Sequence, residues 1–301
     1  MKIYLFTVVL GLFVLSILPF ALFGQDVDML KMLDDQPKQK EYVTATFKGT
    51  RLINFHTIET PGKRSLEFRI SHHFGDMNGG AYNFYGLDGG ASIRIALEYS
   101  HDGRLEFAIG RNSYEKVYDG FIKYKLLRQT TDNAMPISVT LFSGMFYTSI
   151  IDPNKSITGI DRYQYQSNRL SYCHEIIIAR KFNSVFSFQI APTFVHYNIV
   201  DEASDKNDIY ALSFATRFRF TKRAAVTLEY GYRINKYSSQ PFYDPVGIGF
   251  DLETGGHVFQ MFFTNSVGMI EPQFIAHTSS KWQHLGVKLG FNISRMFSLA
   301  K

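Results

Sequence analysis

Apolar and polar residues alternate with a period of two through most of this chain, the pattern of half-buried β-strands rather than helices. Between Tyr210 and Phe220, the side chains of Tyr210, Leu212, Phe214, Phe218 and Phe220 share one face, and Ser213, Arg217 and Arg219 share the other. After the turn Thr221-Lys222-Arg223 the alternation resumes, with Val226, Leu228, Tyr230, Tyr232 and Ile234 opposite Thr227, Glu229 and Arg233. Thirteen segments read as strands: 43–55, 65–74, 92–101, 104–112, 119–129, 137–149, 169–181, 185–199, 209–220, 224–235, 246–252, 257–266 and 284–294. Most have the length at which a tilted strand crosses a bilayer.

The connections alternate too. "HTIETPGKR", "HDG", "TTDNAMP", "KFNS", "TKR" and "TGG" are short, and between them come longer ones such as "GDMNGGAYNFYGLDGGA", "DPNKSITGIDRYQYQSN", "KYSSQPFYDPVG" and "VGMIEPQFIAHTSSKW". Short turns at one end of the strands and long loops at the other are the habit of outer-membrane barrels. Thirteen strands cannot leave both chain ends on one side of a membrane. The reading is therefore an all-β, closed antiparallel transmembrane β-barrel of twelve strands from about residue 65, with ten to fourteen compatible. Segment 43–55 then lies inside the barrel or at its periplasmic rim. Pro192, inside a strand, removes a ladder donor and predicts a bulge or register break.

Alternation alone does not say which face is wet, but size does. About eight strands already enclose only enough room for side chains, so a twelve-strand soluble barrel filled with aromatics would hold a void. The pattern works inside out. Phe68, Ile70, Ile93, Ile95, Leu97, Leu105, Phe107, Ile109, Phe214 and Leu228 are expected to face lipid. Glu67, Arg69, His73, Arg94, Glu98, Glu106, Lys123, Lys125, Glu175, Arg217, Arg219, Glu229, Arg233 and Lys288 are expected to line the lumen. Tyrosines near strand ends, including Tyr99, Tyr118, Tyr197, Tyr210 and Tyr237, suit interfacial girdles.

Composition fits this picture: 28 Phe and 18 Tyr against 1 Trp, within 301 residues. "MKIYLFTVVLGLFVLSILPFALFG" has the layout of a cleaved secretory signal over residues 1–24. Residues 25–64 form a leader and the plug or rim segment, and 65–301 the barrel. The net charge of +5 is spread singly rather than in blocks, which gives nucleic-acid binding no support. One cysteine, Cys173, excludes an internal disulfide framework.

Candidate chemistry is thin. In "SHHFGD", His72, His73 and Asp76 cluster in sequence, but strand alternation sends only one histidine inward, so a shared metal site is not expected. His174 is expected to face lipid and His257 to sit at the periplasmic rim. No nucleophile–base set stands out, the Asp/Gly loops lack calcium-cage spacing, and no catalytic, metal or cofactor site is expected. The inner face holds eight basic and five acidic residues, an excess that would favour anions in a pore.

"TATFKGTRLINFHTIET", "LEFRISHHFGD", "DGFIKYKLLRQ" and "GGHVFQMFFTNS" together resemble a family of uncharacterised outer-membrane β-barrels of Gram-negative bacteria, over roughly residues 42–297. The resemblance implies fold and location and carries no catalytic residues. "HLGVKLGF" is similar to the terminal-strand signal read by the barrel-assembly machinery, although the chain continues past Phe297 to "SLAK". The functional expectation is a passive pore for small polar or anionic solutes. A non-conducting barrel that docks other envelope proteins is the alternative, and a barrel enzyme the third. Expected partners are outer-membrane lipid, the assembly machinery in passing, and an envelope protein of unknown identity.

Overall fold

The alternating segments become twelve antiparallel strands: β1 Ser65–Asp76, β2 Ser92–Ser100, β3 Leu105–Asn112, β4 Val117–Leu127, β5 Ser138–Thr148, β6 Leu170–Lys181, β7 Phe186–Tyr197, β8 Asp208–Arg219, β9 Ala224–Arg233, β10 Val246–Thr254, β11 His257–Thr264 and β12 Lys288–Ser298. The computed structural model describes residues 40–152, 155–237 and 239–299; the signal segment 1–24 and the leader up to residue 39 lie outside the described residues. Each strand pairs with its sequence neighbours, and β1 closes the cylinder against β12, with Ser65 opposite both Ser100 and Ser298. Closure satisfies every strand edge, which a hydrocarbon environment requires.

Three sequence expectations need correction. Segment 43–55 is not a strand, because its backbone bends repeatedly and makes only isolated bridges. The last strand begins at Lys288 rather than at residue 284, with a short 3₁₀ turn at Gln283–Leu285 before it. At Pro192 no bulge forms. The β6–β7 ladder skips between Glu175↔Thr193 and Ile178↔Ile190 while keeping its register, and β7–β8 pairs straight through Pro192↔Leu212. A proline without an N–H thus costs pairing on one side only. Register shifts occur instead between His73 and Asp76 and between Lys125 and Leu127.

Outward side chains form an apolar wall. Ile95 is 48% exposed and Leu97 40% exposed, whereas Arg94 and Glu98 on either side of them are 1% and 0% exposed. Charge inside and oil outside is the arrangement of a barrel solvated by lipid. Leu97→Arg should therefore destabilise the bilayer-inserted barrel by about 2–4 kcal/mol, read from urea-dependent folding into vesicles. A cost below ~0.5 kcal/mol would show that this face is not in lipid.

The inner wall is not uniform. β1–β4 present ions, but β5–β8 turn Phe142, Phe146, Cys173, Ile177, Ala191, Val195, Ile209 and Ala215 inward, all buried. The lumen therefore contains an apolar core, which an ionic reading of the interior did not anticipate. Tyr197 and Tyr237 pack against that core instead of standing in a lipid girdle.

Candidate functional site

A twelve-strand cylinder has more internal volume than its own side chains fill, and two segments occupy the remainder. The first, residues 41–62, enters from the short-turn end. It is tethered at the β4–β5 turn, where the Val43 amide donates to the Gln129 carbonyl at 2.8 Å. It then folds back on itself through a bridge between Arg51 and His56, with the Leu52 amide donating to the Phe55 carbonyl at 2.9 Å. The tip, Leu52–Phe55, rests on Glu229 of β9. That carboxylate accepts from the backbone N–H groups of Ile53 (3.2 Å), Asn54 (2.9 Å) and Phe55 (3.2 Å) and from the Asn54 amide (2.8 Å). Phe47, Leu52, Phe55 and Ile58 pack on the apolar half of the wall.

The second segment is the β11–β12 connection, residues 265–287, which descends from the long-loop end. Its residues Met269–Ala276 are all buried, with a single π-helical turn at Pro272–Ala276. Gln273 is held by Asn112 at 2.7 Å, and its own amide donates to Glu115 at 2.9 Å. The Tyr197 hydroxyl donates to the Pro272 carbonyl at 2.7 Å. Farther out, the His277 ring is enclosed by Tyr197, Phe242 and Tyr237 at centroid distances of 5.0, 5.0 and 5.5 Å.

The two segments meet inside the barrel. Arg51 pairs with Glu271 at 2.9 Å and also donates to the carbonyls of Asn54 (2.7 Å) and Met269 (3.3 Å). Phe55 and Phe274 meet edge to face at 4.9 Å. His56 lies 2.8 Å from Arg51 Nη2 and between the rings of Phe121 and Phe142. Burial, then the Arg51 charge, hold its pKa well below the usual histidine value. The ring is neutral, and Nε2 accepts from Arg51 rather than forming an ion pair with Glu271. Burial raises the Glu271 carboxyl, and Arg51 opposes that rise.

Besides Glu229 at the insert's tip and His73, the side chains read as lumen-lining are distributed around this contact as follows. Arg69 pairs with Glu67 at 2.5 Å and approaches Glu98 at 3.6 Å, while the Thr50 hydroxyl of the insert donates to Glu98 at 2.7 Å. Lys123 pairs with Glu106 at 3.2 Å, and Lys125 with Glu59 of the insert at 3.1 Å. Arg94 binds Asp119 through two contacts, at 3.1 and 2.5 Å. Glu175 accepts from Thr193 at 3.3 Å, and Arg217 donates to the Ala45 carbonyl at 3.3 Å. Arg233 pairs with Asp244 at 3.2 Å, and Lys288 with Asp76 at 2.7 Å. Arg219 is half-buried at the short-turn rim.

The sequence cluster His72, His73, Asp76 is taken apart. His73 Nδ1 donates to the Ser266 carbonyl at 3.0 Å, His72 stacks outward on Phe291 at 5.0 Å, and Asp76 is engaged by Lys288. His174 points outward against Phe194. Among the described residues, no group of three His, Cys, Asp or Glu could hold a metal ion.

Sequence reasoning missed Asp119 and Asp251, both buried on the inner face. They add to the five acidic residues read there, and Glu253 beside the insert and Lys181 at the Thr44 carbonyl add one charge of each sign, so most of the positive excess disappears. It also missed the descending loop. The signal was present, since "VGMIEPQFIAH" is too apolar for a connection lying in water. A cavity of about 200 Å³ remains beside the insert, lined by Lys48, Thr50, Glu59, Glu67, Glu253 and Met296 among others. Lys48 and Glu253 pair across its edge.

Burial sets a pH dependence at His277, where the descending loop is held by aromatic rings. The His277 pKa is lowered to about 4 by burial, reinforced by Arg162 and Arg233 and opposed by Asp201 and Asp205. The unfolded chain binds a proton near the ordinary value of 6.5 and the folded chain does not, so stability is lost as pH falls from about 6.5 towards 4. The loss should reach at most about 3 kcal/mol. Thermal unfolding at pH 7.5 and 4.5 should show this, and His277→Phe should flatten the profile. An unchanged acid limb in that variant would place the effect elsewhere.

A family described as "Membrane bound beta barrel domain (DUF5777)" matches residues 47–297. No curated protein matches the sequence. Among solved structures, the NanC porin is similar at 9% identity over 78% of this chain and 100% of that one, with a TM-score of 0.48. The KdgM porin is similar at 10% identity over 78% and 99%, TM-score 0.43. The outer membrane protein Omp33 of Acinetobacter baumannii is similar at 10% identity over 80% and 100%, TM-score 0.40.

Proposed function

The chain belongs to the family of membrane-bound β-barrel domains, and on that premise we propose that it stands in the outer membrane as a non-enzymatic barrel whose lumen is closed at rest. Small polar solutes pass freely only when the insert 41–62 withdraws and the descending loop 265–287 moves aside with it. Burial of the wall carries this reading. Arg94, Glu98, Lys123, Ile177 and Thr227, distributed around the cylinder, are all at or below 1% exposed. A water-filled channel would wet them. Their charges are matched by neighbours or by the insert, so the filled state leaves little unpaired charge to draw water in.

The polar half of the wall supports the conduit in its open form, because ionic side chains regain hydration when the insert leaves, whereas an apolar wall would collapse or dewet. Export by a cleaved signal and insertion by the barrel-assembly machinery are part of the same proposal. Full-length protein refolded into a planar bilayer should be silent at moderate voltage, with rare brief openings. Steady conductance in every incorporated molecule would overturn the closed-at-rest reading.

A further inference from the structure

We propose that the lumen is a polypeptide-binding site that recognises main chain more than side chains, and that residues 41–62 are its replaceable occupant. The inference rests on the closed-barrel reading and goes beyond it by naming the ligand class.

The insert pairs part of its own backbone, through the Arg51–His56 bridge, the Thr57 amide donating to the Thr50 carbonyl at 2.9 Å, Thr57 Oγ1 donating to the Gly49 carbonyl at 2.7 Å and the Thr46 amide donating to Glu59 at 2.9 Å. It forms neither helix nor strand, and much of the remaining backbone is paired by the barrel. Buried N–H and C=O groups must be paired, and here wall side chains from several strands pair them. Glu229 takes three consecutive amides at the tip. Gln189 accepts from the Ile58 amide at 3.1 Å and donates to the His56 carbonyl at 2.7 Å, and Thr140 donates to the Ile58 carbonyl at 3.1 Å. Asn292 donates to the Ile53 carbonyl at 3.0 Å, and Lys181 to the Thr44 carbonyl at 2.7 Å.

The wall is also shaped for the tip. A Cβ at Gly247 or Gly249 would come within 2.9 or 3.1 Å of the Ile53 side chain, so two glycines clear its seat. Main-chain hydrogen bonds with pockets for a few side chains are how extended peptides are bound elsewhere. A plug built only as a fixed stopper could satisfy its own backbone with a helix or a sheet. These wall groups, in contrast, can bind a peptide or be hydrated, which permits both an occupied and an empty state. A suitable ligand is a segment of about twenty residues with a tight turn, apolar side chains in the places of Phe47, Leu52, Phe55 and Ile58, and a cation in the place of Arg51 to face Glu271.

The test keeps the full chain. A site-specific protease sequence is placed between Gly62 and Lys63, both exposed at the rim, and the protein is folded before cleavage. A fluorescent synthetic peptide of residues 41–62 is then offered to the cleaved barrel. The expected result is that the severed insert stays bound and exchanges with the peptide. N-methylation at Asn54 and Phe55 should weaken binding at least about thirtyfold, while Val43→Ala with Lys48→Ala in the peptide should change it less than about threefold. Absence of exchange, or equal binding of the N-methylated peptide, overturns the proposal. Conductance after cleavage and washing reports the closed-barrel reading separately, since a barrel that conducts but rebinds no peptide defeats only the present inference.

Discussion

Removing residues 41–60 and replacing 267–279 with a short linker is expected to raise single-channel conductance at least about tenfold over the intact protein. Each deletion alone should give much less, because the two segments obstruct the lumen from opposite ends and meet at Arg51–Glu271 and Phe55–Phe274. Removing only the insert leaves Met269–Ala276 packed against the apolar wall of β5–β8. Removing only the loop leaves the insert pinned to Glu229. A double deletion that folds, judged by its resistance to unfolding on a gel, yet stays silent would show that the wall itself closes. The ion preference of the opened barrel should be weak, because acidic and basic residues of the inner face nearly balance.

The second large effect concerns the contact between the two segments. Glu271→Leu should destabilise the folded barrel by about 3–5 kcal/mol, because it leaves Arg51 charged, buried and without its carboxylate. The double variant Arg51→Met with Glu271→Leu should recover most of that loss, since both charges are then gone from an apolar setting. Urea titrations of refolded protein in detergent measure all three, and a double variant as unstable as the single one would deny the coupling. Arg51→Met alone should be pH-sensitive. Burial already raises Glu271 and Arg51 restrains the rise, so without Arg51 the folded state holds this proton to higher pH. Its stability should therefore fall as pH climbs from the ordinary carboxylate range towards neutrality.

The period-two alternation marked the strands, because each side chain in a strand must choose between two environments and the choice is written in residue type. The need to leave both chain ends on one side gave twelve of them, and the size of the cylinder gave their orientation. Ile93, Ile95 and Leu97 against Arg94 and Glu98 leave no other closed arrangement with oil outside. Membership of a membrane-barrel family, read from stretches such as "DGFIKYKLLRQ", agrees with the family match over residues 47–297. The ends of elements were less legible. Segment 43–55 alternates well enough to pass for a strand, but no free sheet edge remains for it once β1 has closed on β12. His72, His73 and Asp76 are neighbours in sequence and have separate partners in the fold.

What the alternation could not decide is what fills the cylinder. A strand records that a side chain faces inward, not what it meets there. The inward Ile177, Val195 and Ile209 make sense only beside Phe55, Ile270 and Phe274, which come from segments far away in the chain. Glu229 reads as one more lumen charge until the amides of Ile53, Asn54 and Phe55 are brought to it. Local sequence determined the wall, because its pattern is local; the occupancy of the lumen was decided by contacts between residues more than a hundred positions apart, such as Phe55 and Phe274, which no periodicity encodes.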